Sequence, residues 1–150
     1  MHVEHLERAQ VVARPVDQVF AFYARAGNLE LITPPWLSFR VLTPEPLEMR
    51  EGTVIDYRLR LHGVPVWWTS RIEEWQENRL FVDRQVRGPY RLWHHRHEFE
   101  VLDGGTQVRD SVAYALPLGR LGHLAGMPLV RRDLGQIFDY RQAAVARLLG

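Results

Sequence analysis

The sequence predicts an α+β domain in which a long C-terminal helix covers a curved, seven-stranded antiparallel sheet, with two short helices after the first strand. Two observations predict it. Hydrophobic residues recur with period two from Leu37 to Leu116, as in strands, and with period 3.6 after Pro117, as in a helix. A sheet buried on one face needs a cover, and the C-terminal helix is the only large apolar stripe available. Because a long helix cannot touch all of a curved sheet, we expect an internal cavity between them.

Length and composition support one globular domain spanning residues 1–150. The chain is 46% hydrophobic and 25% charged, which argues against disorder. The formal net charge of +1 gives no general attraction to nucleic acid or to an anionic membrane. The absence of cysteine excludes disulfides, thiolate metal sites and cysteine nucleophiles. We therefore expect a cytoplasmic protein, a monomer or weak homodimer, with no membrane insertion and no cofactor.

The N-terminal third predicts a strand and two short helices. Residues 3–13 alternate and end in an apolar run, which indicates the first strand. Pro15 favours the first turn of a helix that we expect Gly27 to stop. The stretch 28–36 predicts a second short helix, broken by the pair Pro34-Pro35.

Six further strands and the terminal helix follow. Turn signals divide residues 37–116 into a meander: Gly52, Gly63, Asn78, Gly88-Pro89 and Gly104-Gly105. The C-terminal pattern predicts a helix of roughly 20 residues, preceded by a break or kink at Pro128. The residues expected on its apolar face are Val130, Leu134, Ile137, Phe138, Arg141, Val145 and Leu148.

This order of elements resembles the START/Bet v 1-like superfamily, whose members include polyketide cyclase/dehydrase-like proteins, over essentially the whole chain. Three stretches, ARPVDQVFAFYARAGNLELITPPW, FVDRQVRGPYRLWHHRHEF and GQIFDYR, are similar to a bacterial subgroup of uncharacterised proteins. The resemblance implies a helix-grip fold enclosing a cavity. It leaves the function open, because the superfamily includes lipid carriers, hormone-type receptors, cyclases and chaperone-binding modules.

Two hairpins predict which side chains face the cavity. If Gly104-Gly105 is a two-residue turn, the residue numbers of each cross-strand pair add up to 209, so Glu100 lies opposite Arg109. Every second residue from Trp93 onward then faces inward. A turn at His62-Gly63 directs Tyr57, Leu59 and Trp68 inward and Trp67 and Trp75 outward. A turn at residues 77–78 directs Phe81, Asp83 and Gln85 inward. The expected ligand-contacting residues are Tyr57, Trp68, Phe81, Asp83, Gln85, Trp93, His95, His97, Phe99, Asp110, Tyr114, Phe138 and Arg141.

The polar members of this set have three interpretations. His95 and His97 point to one face of one strand, so they could bind a metal together with Asp83 or Asp110. A His–Asp pair could instead serve as general acid and base, with His95, His97 and Asp110 as the catalytic candidates. The third interpretation is a hydrogen-bonded network that satisfies buried polarity and orients a hydroxyl or carbonyl of a ligand. We favour the third and predict no metal.

Arg141, Trp36 and the two outward tryptophans each have two interpretations. Arg141 either binds a ligand carboxylate or an inward Asp, or packs its stem at the core edge with its head in solvent. Trp36, the loop at Gly63 and the run from Gly119 to Gly126 are expected near the cavity mouth, where Trp36 is either a lid or a cap on the core. Exposed Trp67 and Trp75 mark a partner surface or stack with nearby arginines.

Taken together, these patterns predict a protein that binds a small hydrophobic molecule such as a lipid, an isoprenoid or an aromatic polyketide. A cyclase- or dehydratase-like enzyme is the first alternative. A protein-interaction module that uses its outward tryptophans is the second.

Overall fold

A computed structural model describes all residues from Met1 to Gly150. Seven strands form one antiparallel sheet with the spatial order β1-β7-β6-β5-β4-β3-β2. The strands are β1 (Glu4–Val12), β2 (Arg40–Val41), β3 (Val54–Leu61), β4 (Val64–Gln76), β5 (Leu80–Arg87), β6 (Leu92–Leu102) and β7 (Gly105–Ala115). The predicted seven-stranded sheet is confirmed, with β1 beside β7 and the later strands in meander order.

Three α-helices accompany the sheet: α1 (Val16–Tyr23), α2 (Leu29–Ile32) and α3 (Gly119–Leu149). Short 3-10 turns flank α2 at Ala26–Asn28 and Pro35–Leu37. Pro15 is the N-cap residue of α1, immediately before the first turn in which it was expected. The helix ends at Tyr23, so Gly27 does not stop it. None of the helices combines the length and the apolar character needed to cross a membrane.

The terminal helix is longer than expected. It has 31 residues and continues through Pro128, so the expected break at that residue is wrong. The run from Gly119 to Gly126 forms its first turns instead of a loop at the cavity mouth. A Cβ at Gly122 would lie 1.8 Å from the Pro117 carbonyl oxygen, so glycine permits the chain to turn tightly into the helix. Near the other end Leu148 is 40% exposed and Leu149 is buried, which corrects the predicted face there.

The β6–β7 hairpin keeps the predicted faces but not the predicted register. Leu102 pairs with Gly105, and Glu98, not Glu100, lies opposite Arg109. Gly105 is therefore the first residue of β7, where a Cβ would meet the Val12 carbonyl oxygen at 2.4 Å. A residue without a side chain at position 105 allows β1 to approach closely. The two turn residues are therefore Asp103 and Gly104. Because the shift is two residues, every inward side chain stays inward.

Strand β4 contains a bulge that the sequence pattern does not indicate. Ile72 pairs with Asp83 but Glu74 pairs with Val82, which leaves Glu73 as the extra residue. The side chains after the bulge change face, so Trp75 points inward and packs edge-on against Phe20 at 5.0 Å. The predicted outward position of Trp75 is wrong, whereas Trp67 is outward and 63% exposed.

Candidate functional site

A cavity of about 160 Å³ lies between the concave face of the sheet and α3. Its position follows from the curvature of β3 to β6 beneath a helix that contacts the sheet only in places. Most of its wall is aliphatic or aromatic: Leu29, Leu37, Phe39, Tyr57, Leu59, Leu61, Trp68, Tyr90, Trp93, Leu134, Ile137 and Phe138. The polar part of the wall consists of Thr33, Ser70, Asp83, His95, His97 and Arg141.

Eight residues singled out from the sequence meet at this wall. They come from β3, β4, β5, β6 and α3, and they are Tyr57, Trp68, Asp83, Trp93, His95, His97, Phe138 and Arg141. The strand registers account for this convergence, because they direct alternate side chains of the four neighbouring strands β3 to β6 to one face.

Five other expected contacts lie outside the cavity wall. Phe81 and Phe99 pack edge-on against Phe20 of α1, at 6.0 and 5.0 Å between ring centroids, so α1 covers this end of the concave face. Gln85 is held by the backbone of Tyr90 through two hydrogen bonds of 2.6 and 3.1 Å. Tyr114 belongs to the hydrophobic cluster around Trp93. Asp110 lies behind the two histidines and contacts them instead of the cavity.

Ten wall residues are not among the expected ligand contacts. Five of them lie on strand or helix faces that the sequence directs inward: Leu59, Leu61, Ser70, Leu134 and Ile137. The other five were not predicted to face the cavity: Leu29, Thr33, Leu37, Phe39 and Tyr90. Leu29 begins α2 and Thr33 is its C-cap residue, and this spacing of four residues, which puts both on one side of the short helix, could have identified them. Tyr90 follows Gly88-Pro89 in a loop whose geometry no turn signal specified. Trp36 is not part of the wall; it is 57% exposed and packs against Tyr140.

Two histidine–aspartate pairs form the polar end of the cavity. His95 Nε2 donates to Asp110 Oδ1 at 2.8 Å, and His97 Nε2 donates to Asp83 Oδ2 at 2.6 Å. The two imidazole rings stack with their centroids 3.7 Å apart, and Phe81 stacks on the far side of His97 at 4.0 Å. Both histidines are more than nine-tenths buried. Aromatic packing on both sides therefore fixes the orientation of His97.

Arg141 completes what we call the polar cluster: Asp83, His95, His97, Asp110 and Arg141. Its Nη2 lies 3.8 Å from Asp110 Oδ1, and its guanidinium carbon lies 5.5 Å from the centre of the Tyr23 ring and 5.7 Å from that of Phe138. Its Nε and Nη2 atoms are buried and have no hydrogen-bond partner. The side chain is only 13% exposed, so the interpretation that places its head in solvent is wrong.

The surroundings of the two histidines shift their pKa values in opposite directions. Burial and the neighbouring His97 lower the pKa of His95 to about 4, against the opposing hydrogen bond to Asp110. Burial acts on His97 in the same direction, but hydrogen bonds to Asp110 and Asp83 outweigh it and raise the pKa of His97. At neutral pH His95 is therefore neutral, and His97 is the more readily protonated of the two rings.

Both carboxyl groups of the cluster are ionised. Burial would raise the pKa of Asp110, but the Arg141 charge and the hydrogen bonds from His95 and His97 hold it well below its ordinary value. The hydrogen bond from His97 likewise lowers the pKa of Asp83 against the effect of burial. The cluster therefore holds negative charges on Asp83 and Asp110, which face the imidazole of His97 and the guanidinium of Arg141 respectively.

Asp83, His95 and His97 also offer three potential metal ligands whose atoms lie within 4.8 Å of one another. The Nε2 atoms of both histidines are already bonded to carboxylates, and the Arg141 charge lies beside Asp110. A cation among them would have to displace these bonds and approach a fixed positive charge. The arrangement favours a charge-balanced network over metal coordination.

Comparisons with known proteins agree on the fold and the family. The family model described as "Polyketide cyclase / dehydrase and lipid transport" matches residues 12–138. The solved structure of Zhui aromatase/cyclase from Streptomyces sp. R1128 is 20% identical, with a TM-score of 0.69 over 99% of this chain and 92% of that one. No curated protein sequence matches the chain.

Two further solved structures have the same fold. A START superfamily protein from Mycobacterium smegmatis is 12% identical, with a TM-score of 0.70 over 97% of this chain and 96% of that one. Ara h 8.0201 is 16% identical, with a TM-score of 0.69 over 99% and 98% of the two chains. At these identities the similarity establishes a shared helix-grip architecture.

Proposed function

The chain belongs to the family of polyketide cyclases, dehydrases and lipid transport proteins, and we propose that it binds a small, largely hydrophobic ligand in the cavity beneath α3. One observation carries the proposal. The cavity has an apolar, aromatic wall with charged groups confined to one end. Such a site gains affinity from apolar contact and orientation from a few polar groups.

Native mass spectrometry of the purified protein tests occupancy directly. We expect an adduct of low mass that is lost on denaturation, because about 160 Å³ is too little space for a long lipid chain. A matched pair of variants on α3 tests the location. Leu134→Trp would fill the cavity and remove the adduct, whereas Leu129→Trp, at a position 47% exposed, would leave it unchanged. An adduct retained in Leu134→Trp would place the ligand elsewhere.

A cyclase- or dehydratase-like activity is the second candidate, favoured by His97. This side chain lines the cavity, carries a raised pKa and is fixed by the Asp83 carboxylate, as a general acid near neutral pH requires. It could donate a proton to a ligand carbonyl oxygen while the neutral His95, which also lines the cavity, accepts the proton lost from the neighbouring carbon, so that the ligand becomes its enol. His97→Gln would then lower turnover by roughly 100-fold or more, while a binding protein would change only in affinity.

The interaction-module alternative loses part of its support. Trp75 packs inside the protein, so of the two tryptophans expected on a partner surface only Trp67 is exposed. A single exposed indole is ordinary on a globular surface.

A further inference from the structure

The polar cluster restricts the chemistry of the ligand more tightly than the cavity wall does. We propose that the ligand is a neutral molecule about the size of one aromatic ring, whose carbonyl oxygen accepts a hydrogen bond from Arg141. This inference rests on the proposed function and concerns the same cavity.

The size follows from the cavity volume. An apolar cavity of about 150 Å³ in a protein interior accommodates benzene, and the volume here is about 160 Å³. Trp68 and Trp93 meet edge-on at 5.2 Å, and Tyr90 packs against both, so this side of the cavity is formed by aromatic edges and faces. A single ring with one short substituent fits this space, whereas a fused polyketide or an isoprenoid chain exceeds it.

The neutrality follows from the charges already present. Asp110 lies 3.8 Å from the Arg141 guanidinium and 2.8 Å from His95 Nε2, and Asp83 lies 2.6 Å from His97 Nε2, so the fixed positive charge of Arg141 already faces a carboxylate. Tyr23, which faces Arg141 from α1, and Tyr57, which faces Asp83 from β3, are both protonated because burial raises their pKa values. A ligand carboxylate would bring a further negative charge beside two buried carboxylates, which is unfavourable.

The carbonyl follows from the unused donors. Arg141 lines the cavity, yet its buried Nε and Nη2 have no acceptor. The nearest carboxylate oxygen, Asp110 Oδ1, is 3.8 Å from Nη2 and already accepts a hydrogen bond from His95. The charge of the guanidinium group is thus compensated by Asp110, but its Nε and Nη2 donate no hydrogen bond. A buried donor without an acceptor raises the free energy of the folded state. A neutral oxygen satisfies the donor without disturbing the charge.

Three probes of similar size separate these features: ethylbenzene, acetophenone and benzoate, each titrated at pH 7 by calorimetry. We expect acetophenone to bind roughly tenfold more tightly than ethylbenzene, because it adds a hydrogen bond to a charged donor. We expect benzoate to bind at least roughly tenfold more weakly than acetophenone. Arg141→Met should reduce acetophenone to the affinity of ethylbenzene, while Arg147→Met, at an exposed position of the same helix, should change neither.

A second measurement avoids any dependence on the folding of the Arg141 variant. The carbonyl ¹³C resonance of labelled acetophenone should move downfield on binding to the wild-type protein, as expected for a carbonyl that accepts a hydrogen bond. An unshifted resonance, tighter binding of benzoate, or equal binding of acetophenone and ethylbenzene would each overturn the inference and leave hydrophobic binding intact. Failure of all three probes to bind would overturn the proposed function together with it.

Discussion

His95 and His97 stack their imidazole rings at 3.7 Å, yet each donates its Nε2 proton to a different carboxylate. Two imidazolium ions at this distance would repel strongly in a buried site, so at most one of the two rings carries a charge at a time. The asymmetry has consequences for stability that can be measured.

The free energy of unfolding should be greatest near pH 6.5. Below this pH an unfolded His95 binds a proton that the folded His95, with a pKa of about 4, does not, so stability falls as the pH decreases toward 4, by on the order of 3 kcal/mol. His97 acts in the opposite direction: its raised pKa stabilises the fold below pH 6.5, and this contribution is lost as the pH rises through its folded value.

Urea denaturation at pH 5, 6.5 and 8 measures both slopes. His95→Asn should flatten the acid side between pH 4 and 6.5, where Asp83 and Asp110 contribute little because both remain ionised in the folded state and their ordinary pKa is 3.8. His97→Asn should flatten the side above pH 6.5. A wild-type stability that rises steadily from pH 6.5 to 8 would contradict the assignment.

Removal of the Asp110 charge should destabilise the fold strongly. Asp110→Asn leaves Arg141 and His97 without their shared carboxylate in a buried site, and we expect a loss of about 3–5 kcal/mol. Asp56→Asn is the matched control, because Asp56 is exposed and bonds only to the hydroxyl of Thr69 among side chains. It should change the free energy of unfolding by less than about 1 kcal/mol. Equal effects of the two substitutions would mean that the cluster is not an energetic unit.

The two tryptophans of β4 should differ in their contribution to stability. Trp75→Ala removes contacts with Phe20 and Phe81, and we expect a loss of at least about 2 kcal/mol. Trp67→Ala, on the opposite face, should change stability by less than about 0.5 kcal/mol. Thermal denaturation of both variants decides the matter; similar losses would be incompatible with a bulge at Glu73.

Two glycines of α3 should respond in opposite directions to alanine. Gly135→Ala meets no atom closer than 3.9 Å and should stabilise the helix by about 0.5–1 kcal/mol. Gly122→Ala would place its Cβ 1.8 Å from the Pro117 carbonyl oxygen and should be destabilising. Chemical denaturation gives both signs, and a stabilising Gly122→Ala would show that the start of α3 is free to move.

Local patterns predicted the strand faces well because side chains alternate along a strand, so an error of two residues in the pairing leaves every side chain on its predicted face. The predicted turn at Gly104-Gly105 lies one residue too far along the chain, which shifts the pairing of β6 with β7 by two residues, and every inward residue of both strands is nevertheless correct. For β5 two errors cancel. The turn between β4 and β5 has three residues instead of the expected two, which moves β5 by one residue against β4. The extra residue Glu73 in β4 moves the pairing back by one, so Asp83 still faces inward opposite Ile72.

The remaining differences come from features that only tertiary structure determines. A bulge leaves no signature in the alternation of β4, so the position of Trp75 was not predictable from local pattern. The coverage of Phe81 and Phe99 depends on where α1 lies against the sheet. The contact of Arg141 with Asp110 joins residues of α3 and β7 that no local pattern brings together, although the helix face correctly directed the arginine inward.

The bulge at Glu73 also divides β4 into one segment that lines the cavity and one that packs in the hydrophobic core. Before it, Trp68 and Ser70 border the cavity; after it, Trp75 packs with Phe20 in the interior. Since the extra residue resets the alternation between the two segments, a substitution in one need not disturb the packing of the other. Ligand preference could therefore diverge over evolution by changes to the first segment alone, while the second continues to support the folded chain.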